Sequence, residues 1–221
     1  MRTLDTTTMQ PSPIASASSA QPFTGEGAGN AVRTATILWR HLHANGRDVC
    51  DLWRSAHGWI LSGTSIYREG TEICHLRYRV ECDDAWLTRS ARVQGSWGEA
   101  GIDVAVSVDE RRRWTLNGSA VPAVEGCLDI DLNFTPATNL IQVRRLALAV
   151  GSQSDAPAAW FRVPGFSLQL LPQSYRRASV PCYDYLAPTV GYGGLLQVHE
   201  LGFVLEYPGL WTAEALHVFE K

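Results

Sequence analysis

Between Thr71 and Cys82 the sequence TEICHLRYRVEC changes character at every second residue. On an extended chain successive side chains point to opposite faces. Ile73, His75, Arg77 and Arg79 then share one face, and Cys74, Leu76, Tyr78 and Val80 the other. A helix would scatter these residues around its circumference, whereas a sheet with one dry face collects them. The pattern recurs along the chain. Residues 34–42, residues 48–56 after the Asn45-Gly46 turn, and residues 58–67, 86–97 and 101–108 read as strands. Residues 109–112 form a charged turn, and residues 114–116 are a short strand closed by Asn117-Gly118. Residues 158–163 stop at Pro164-Gly165. Residues 166–175 are interrupted by Pro172, as an edge strand or a bulge would be. Residues 182–186, 195–200 and 203–207 complete the series. Only the segment after Thr135 and the last residues from Thr212 read as helical. About a dozen short strands at roughly 8–12-residue spacing, without crossover helices, specify an all-β, mainly antiparallel sandwich, roll or barrel rather than a parallel α/β fold.

With 221 residues, 45% of them hydrophobic, the chain can bury one sizeable core or two small ones. A formal charge of -3 without a basic stripe argues against a dedicated nucleic-acid binder. No apolar run approaches the ~18–20 residues that span a bilayer. Residues 1–30 are rich in Ser, Thr, Ala, Pro and Gly, and lack the apolar core and basic lead-in of a secretory signal. Residues 1–33 therefore read as a disordered tail before a single domain over residues 34–221, in a cytoplasmic protein. Cys50, Cys74, Cys82, Cys127 and Cys182 are odd in number and widely spaced, which fits a reduced compartment. His41 and His43 share a strand face, but no third ligand stands near them, and no Cys-x-x-Cys occurs. No metal and no cofactor are expected.

The centre of the chain carries the chemistry. In GCLDIDLNFTPATNLIQVRRL (residues 126–146), Asp129 and Asp131 share one face of a strand, while Leu128, Ile130 and Leu132 share the other. Thr135-Pro136 reads as an N-cap and first helical residue. From Val143 on an extended pattern returns, in which Arg144 and Arg145 point apart. Carboxylates and a guanidinium thus meet near a bend. The acid pair admits three readings: a metal-binding pair for a sugar nucleotide, which commonly sits on an α/β domain; a polar anchor for a ligand head group; or a salt-bridged corner. The corner is favoured, because a buried carboxylate is costly unless paired. On that reading Asp131→Ala destabilises the fold. Gly95-Ser-Trp-Gly98 is one residue short of a hydrolase nucleophile elbow. Trp39, Trp59, Tyr78, Trp86, Trp114, Trp160, Tyr183 and Tyr185 fill a β-core by default, and line an acyl cavity only if the sheet is hollow.

Several of these stretches resemble a bacterial family labelled "putative glycolipid-binding" (the DUF1089 group). They are Trp39-Arg40, Cys50-Asp-Leu, Gly58-Trp-x-Leu-x-Gly63, Tyr78-Arg-Val-x-Cys-Asp83 and Trp86-x-Thr-Arg89. The strongest is Gly126-Cys-x-Asp-x-Asp-Leu132 with Thr135-Pro-x-Thr-Asn139 and Arg144-Arg-Leu146. The resemblance extends over residues 34–211 and implies a spiral β-roll or half-barrel, with one short helix or corner after the central strand. That architecture is similar to the lipid carriers of the bacterial envelope. The function expected is non-catalytic binding of an amphipathic ligand, a glycolipid or fatty-acyl compound. Apolar strands would hold its tail, and Asp129, Asp131, Thr135, Asn139 and Arg144 or Arg145 would meet its head. Two other classes stay open: a small-molecule enzyme using Asp129 or Asp131 as general acid or base, and a structural β-module that interacts through its sheet edges.

Overall fold

Residues 31–220 are described in the computed structural model of the chain. The expected tail lies outside them as far as residue 30, and the first strand already begins at Val32. Strands β1 (Val32–His41), β2 (Arg47–Ser55), β3 (Gly58–Glu69), β4 (Glu72–Cys82), β5 (Thr88–Trp97) and β6 (Ala100–Val108) form an antiparallel meander. The short β7 (Trp114–Leu116) and β8 (Ser119–Ala120) extend it. Along β4, Cys74, Leu76, Tyr78 and Val80 are fully buried while Ile73 is 67% exposed, the alternation read in the sequence. Asn117 and Gly118, both at positive φ, supply the two left-handed residues that a tight hairpin between right-twisted strands requires.

After β8 the chain leaves this sheet. β9 (Asp129–Leu132), α1 (Asn139–Leu146) and β10 (Gln153–Asp155) come next, followed by β11 (Ala158–Arg162) and β12 (Ser167–Leu171). A second sheet runs β12-β11-β9, with β9 and β11 parallel and Asp131 opposite Trp160. Pro172 marks the point where the chain changes sheets. β12 ends at Leu171, and β13 (Ser174–Arg177) pairs with β10 in the large sheet. β14 (Cys182–Ala187), β15 (Tyr192–Val198), β16 (Val204–Tyr207) and β17 (Trp211–Val218) form a second antiparallel run. β17 pairs with β1, His41 opposite Trp211. Fourteen strands thus make one sheet, which is open, with β8 and β10 at its two ends.

Among the described residues, the chain adopts the all-β, mainly antiparallel class with one short α-helix. Three local expectations are corrected. Residues from Thr212 on are strand, not helix: their helix-forming composition yields to pairing with β1. Val143–Leu146 close α1 rather than opening a strand. The helix begins four residues after Thr135, with Thr138 rather than Thr135 at its N-cap.

The two sheets bound two apolar clusters. The first takes Ile37, Trp39, Leu76, Tyr78 and Trp114 from the large sheet, Leu140 and Ile141 from α1, and Ile130, Leu132 and Phe161 from the small sheet. The second takes Val143 from α1 with Leu171, Tyr175, Tyr183, Tyr185, Leu196 and Val198, and Trp160 packs against it. Burial of each such side chain contributes about 1.5–3 kcal/mol. Trp39, Trp114, Tyr78, Tyr175, Phe161 and Phe203 are all fully buried, so these rings serve as core. Among the described residues no helix is long and apolar enough to cross a membrane.

Candidate functional site

β9 is buried at all four of its residues because it has a core cluster on either side. Alternation sends Ile130 and Leu132 into the first cluster and turns Asp129 and Asp131 the other way. Asp129 meets a partner there. Arg145, in the last turn of α1, donates from Nε and Nη2 to its two carboxylate oxygens at 2.7 and 2.6 Å. Asp129 is fully buried and the Arg145 side chain is only 14% exposed. Burial pushes the Asp129 carboxyl up from its ordinary value, and the Arg145 guanidinium opposes this. The chain entering β9 is held by Arg112, whose guanidinium donates to the carbonyls of Cys127, Thr88 and Leu128 at 3.1, 2.8 and 2.8 Å. Arg112 sits in the turn read simply as charged, at positive φ, and nothing in that turn's composition set it apart.

Asp131 has no such partner. Among the described residues no cation and no hydrogen-bond donor reaches its carboxyl, and burial alone pushes it up to about 7. Burial first, and the Asp131 charge as a lesser cause, raise the phenols of Tyr175, Tyr185 and Tyr207, which stand near it on β13, β14 and β16. The rings touch one another, Tyr175 to Tyr185 at 4.9 Å and Tyr185 to Tyr207 at 5.8 Å between centroids. Asn139, at the start of α1, donates from Nδ2 to the Tyr175 hydroxyl at 2.8 Å. Tyr185 donates to Gln173 Oε1 at 2.7 Å. The Gln173 amide nitrogen and both amide atoms of Gln142 are buried without a partner.

Thr135 belongs to another network, on the far side of the corner. Its hydroxyl accepts from the Ala137 amide and donates to Tyr78 Oη at 3.2 Å, and Tyr78 donates to Asp48 Oδ1 at 2.7 Å. Ser65 donates to the Phe134 carbonyl at 3.1 Å, so β2, β3 and β4 together grip the bend. Asp48 is wholly buried without a cation, and burial pushes its carboxyl up to about 8 against the opposing bonds from Tyr78, Ser65 and Thr135. Sequence reasoning missed Asp48. Its only signal was an acid at an inward-facing position of an alternating strand. His41, weighed as a zinc ligand, accepts the His43 and Ala44 amides on Nδ1 and packs its ring against Trp211.

Of the six candidate residues, Arg144 lines an open cavity. A half-enclosed pocket of about 590 Å³ lies where the C-terminal end of α1 meets β14, β15 and the loops flanking them. Val143, Ala147, Val180, Pro181, Tyr183, Val198 and Leu205 give it apolar walls; Arg144, Arg177, His199 and Glu200 supply polar groups. Its volume falls within the about 300–1,000 Å³ usual for ligand sites, as does its mixture of apolar lining and few polar groups. Arg144 lies 5.6 Å over the Trp86 ring, and its Nη1 donates to the Glu200 carbonyl at 3.3 Å. Gly202 backs its stem, and a Cβ there would stand 3.0 Å from Arg144 Cγ and Cδ. The pocket draws on segments far apart in sequence, so of its lining the sequence singled out Arg144, as a head-group candidate, and Tyr183, among the aromatics.

A family model described as "Putative glycolipid-binding" matches residues 36–213. The crystal structure of a DUF1089 family protein from Pseudomonas aeruginosa is similar, with 27% sequence identity and a TM-score of 0.67. The likeness covers 75% of this chain and 91% of that one. None of the curated proteins matches.

Proposed function

The chain belongs to the "putative glycolipid-binding" family, and from that premise we propose that it binds an amphipathic ligand, a glycolipid or fatty-acyl compound, in the pocket at the end of α1. The observation that carries this reading is the pocket's make-up: apolar walls from Val143, Val180, Pro181, Tyr183, Val198 and Leu205 beside the guanidinium of Arg144. An acyl chain would lie on the walls and the head group would sit at the polar end. Asp129, Asp131, Thr135, Asn139 and Arg145, in this proposal, set the position of β9 and α1 and so aim Arg144 at the ligand. The experiment is a titration of the full chain with a fluorescent acyl probe, repeated with Val180→Ser. Val180 is 70% exposed, so its replacement leaves the core intact. Saturable binding weakened about threefold or more by Val180→Ser supports the proposal, and no saturable binding contradicts it.

One observation favours a second reading, an enzyme with Asp131 as general acid or base. An unpaired carboxyl pushed up to about 7 is suited to proton transfer near neutral pH. Against it, Asp131 is only 9% exposed and is not among the residues that line the pocket.

A further inference from the structure

Besides the Arg111-Arg112-Arg113 run, the chain contains two Arg-Arg pairs, Arg144-Arg145 on α1 and Arg176-Arg177 on β13. In each, one arginine is spoken for by an acid: Arg145 by Asp129, and Arg176 by Asp184. The other member of each pair lines the pocket, and neither Arg144 nor Arg177 has a carboxylate within ion-pair reach among the described residues. Both guanidiniums are nevertheless held in place. Arg144 lies over Trp86 and bonds the Glu200 carbonyl. Arg177 lies 5.6 Å over Tyr183, and its Nη1 donates to the Leu148 carbonyl at 2.8 Å. Its Nε is buried and unpartnered. Opposing charge is smaller: the exposed Glu200 carboxylate, and the carbonyl end of α1, worth about half a charge at most. His199 accepts the Leu201 amide on Nδ1, which leaves Nε2 free to donate.

Two fixed guanidiniums with no carboxylate in ion-pair reach among the described residues, beside apolar walls, match a ligand with an anionic head. Arginine forks recognise carboxylate and phosphate oxygens in paired bonds, and such charge-assisted bonds are about twice as strong as neutral ones. We propose that the amphiphile bound here is an anion, its carboxylate or phosphate held between Arg144 and Arg177. This inference rests on the amphiphile reading above and narrows it to a ligand class.

The test measures binding of four amphiphiles with the same twelve-carbon chain, below their micelle concentrations, to the full chain in low salt. They are dodecyl phosphate, dodecanoate, dodecyl maltoside and dodecyltrimethylammonium. At least one anion should bind about tenfold or more tighter than the maltoside, and the ammonium weakest. Phosphate tighter than carboxylate would identify a phospholipid-like head, and the reverse order a fatty acid. Arg177→Gln and the more exposed Arg144→Gln should each weaken the better anion about tenfold while changing maltoside binding less than twofold. Arg177→Lys, which keeps the charge, should recover part of the loss. Equal affinity for anionic and neutral amphiphiles would overturn the anion assignment and leave the amphiphile reading standing. Absence of binding by all four would overturn both. Selectivity that survives both arginine substitutions would place the anion elsewhere and also overturn the proposal.

Discussion

Arg145 and Asp129 close against each other through two parallel hydrogen bonds of 2.7 and 2.6 Å, with the acid fully buried. The pair ties the last turn of α1 to β9, and hence the rim of the pocket to the strand between the two cores. Removing one member of such a pair leaves a stranded charge, which costs about 3–5 kcal/mol. Arg145→Ala should lower stability by that order in chemical denaturation. Arg145→Met combined with Asp129→Leu should recover much of the loss, because the pair as a whole is worth far less than one orphaned member.

The pH behaviour of Asp131 runs opposite to that of an ordinary salt-bridged acid. Its folded-state value of about 7 lies above the unfolded carboxyl value of about 3.9, so folding favours the protonated form. Below about pH 4 both states are protonated and there is no penalty. Between about pH 4 and 7 stability falls, and above that the penalty is complete. Asp131→Asn removes the charge at nearly constant volume. It should match wild type at pH 4 and exceed it at pH 8 by up to about 1.4 kcal/mol for each pH unit between the two values. Denaturation of both proteins across this range checks it. The comparison cancels the contribution of Asp48, raised to about 8 in both. Equal stability of the two proteins at pH 8 would contradict the assignment of Asp131 as an unpaired buried acid.

Much of this fold was legible in the residues. The alternation of β4, the Asn45-Gly46 and Asn117-Gly118 turns and the break at Pro172 are local signals, each fixed by backbone geometry. The division of labour between Asp129 and Asp131 was not. Both acids share a face of β9, and the sequence reading that Asp131→Ala removes an ion pair transfers to Asp129. Which acid finds the arginine depends on residues 143–146 being helical, and VRRLALAV carries apolar spacing compatible with either state. Neither the pocket nor the Asp48 network has a local signature, because Arg177, His199 and Tyr78 reach them through long-range strand pairing.

Gly63 makes room for Tyr78. A Cβ at position 63 would stand 2.3 Å from the Tyr78 hydroxyl oxygen and 2.5 Å from the Val49 carbonyl oxygen. Gly63→Ala should therefore push Tyr78 off Asp48 and cost about 1–3 kcal/mol as overpacking, with more added if Asp48 is left without its donor. Tyr78→Phe supplies the companion measurement. It deletes the hydroxyl without crowding, and a loss similar to that of Gly63→Ala would show that the hydrogen bond, not the clash, dominates.

Ala147 ends α1 in the left-handed conformation, at φ 44 and ψ 41. Glycine holds that position without the roughly 1–2 kcal/mol steric cost of a Cβ. Ala147→Gly should raise stability by a few tenths to about 1 kcal/mol in thermal denaturation, the gain reduced by the added freedom of the unfolded chain. No gain, or a loss, would mean that the helix end is not set by this residue.

The most direct test of an amphiphile pocket at the end of α1 is photo-cross-linking. The full chain is irradiated with a diazirine-bearing acyl probe, and the labelled peptides are identified by mass spectrometry. Labels concentrated on residues 143–147, 177–183 and 198–205, and displaced by excess unlabelled amphiphile, are the predicted result. Labelling spread over the outer faces of β2–β6, or insensitive to competitor, would contradict it.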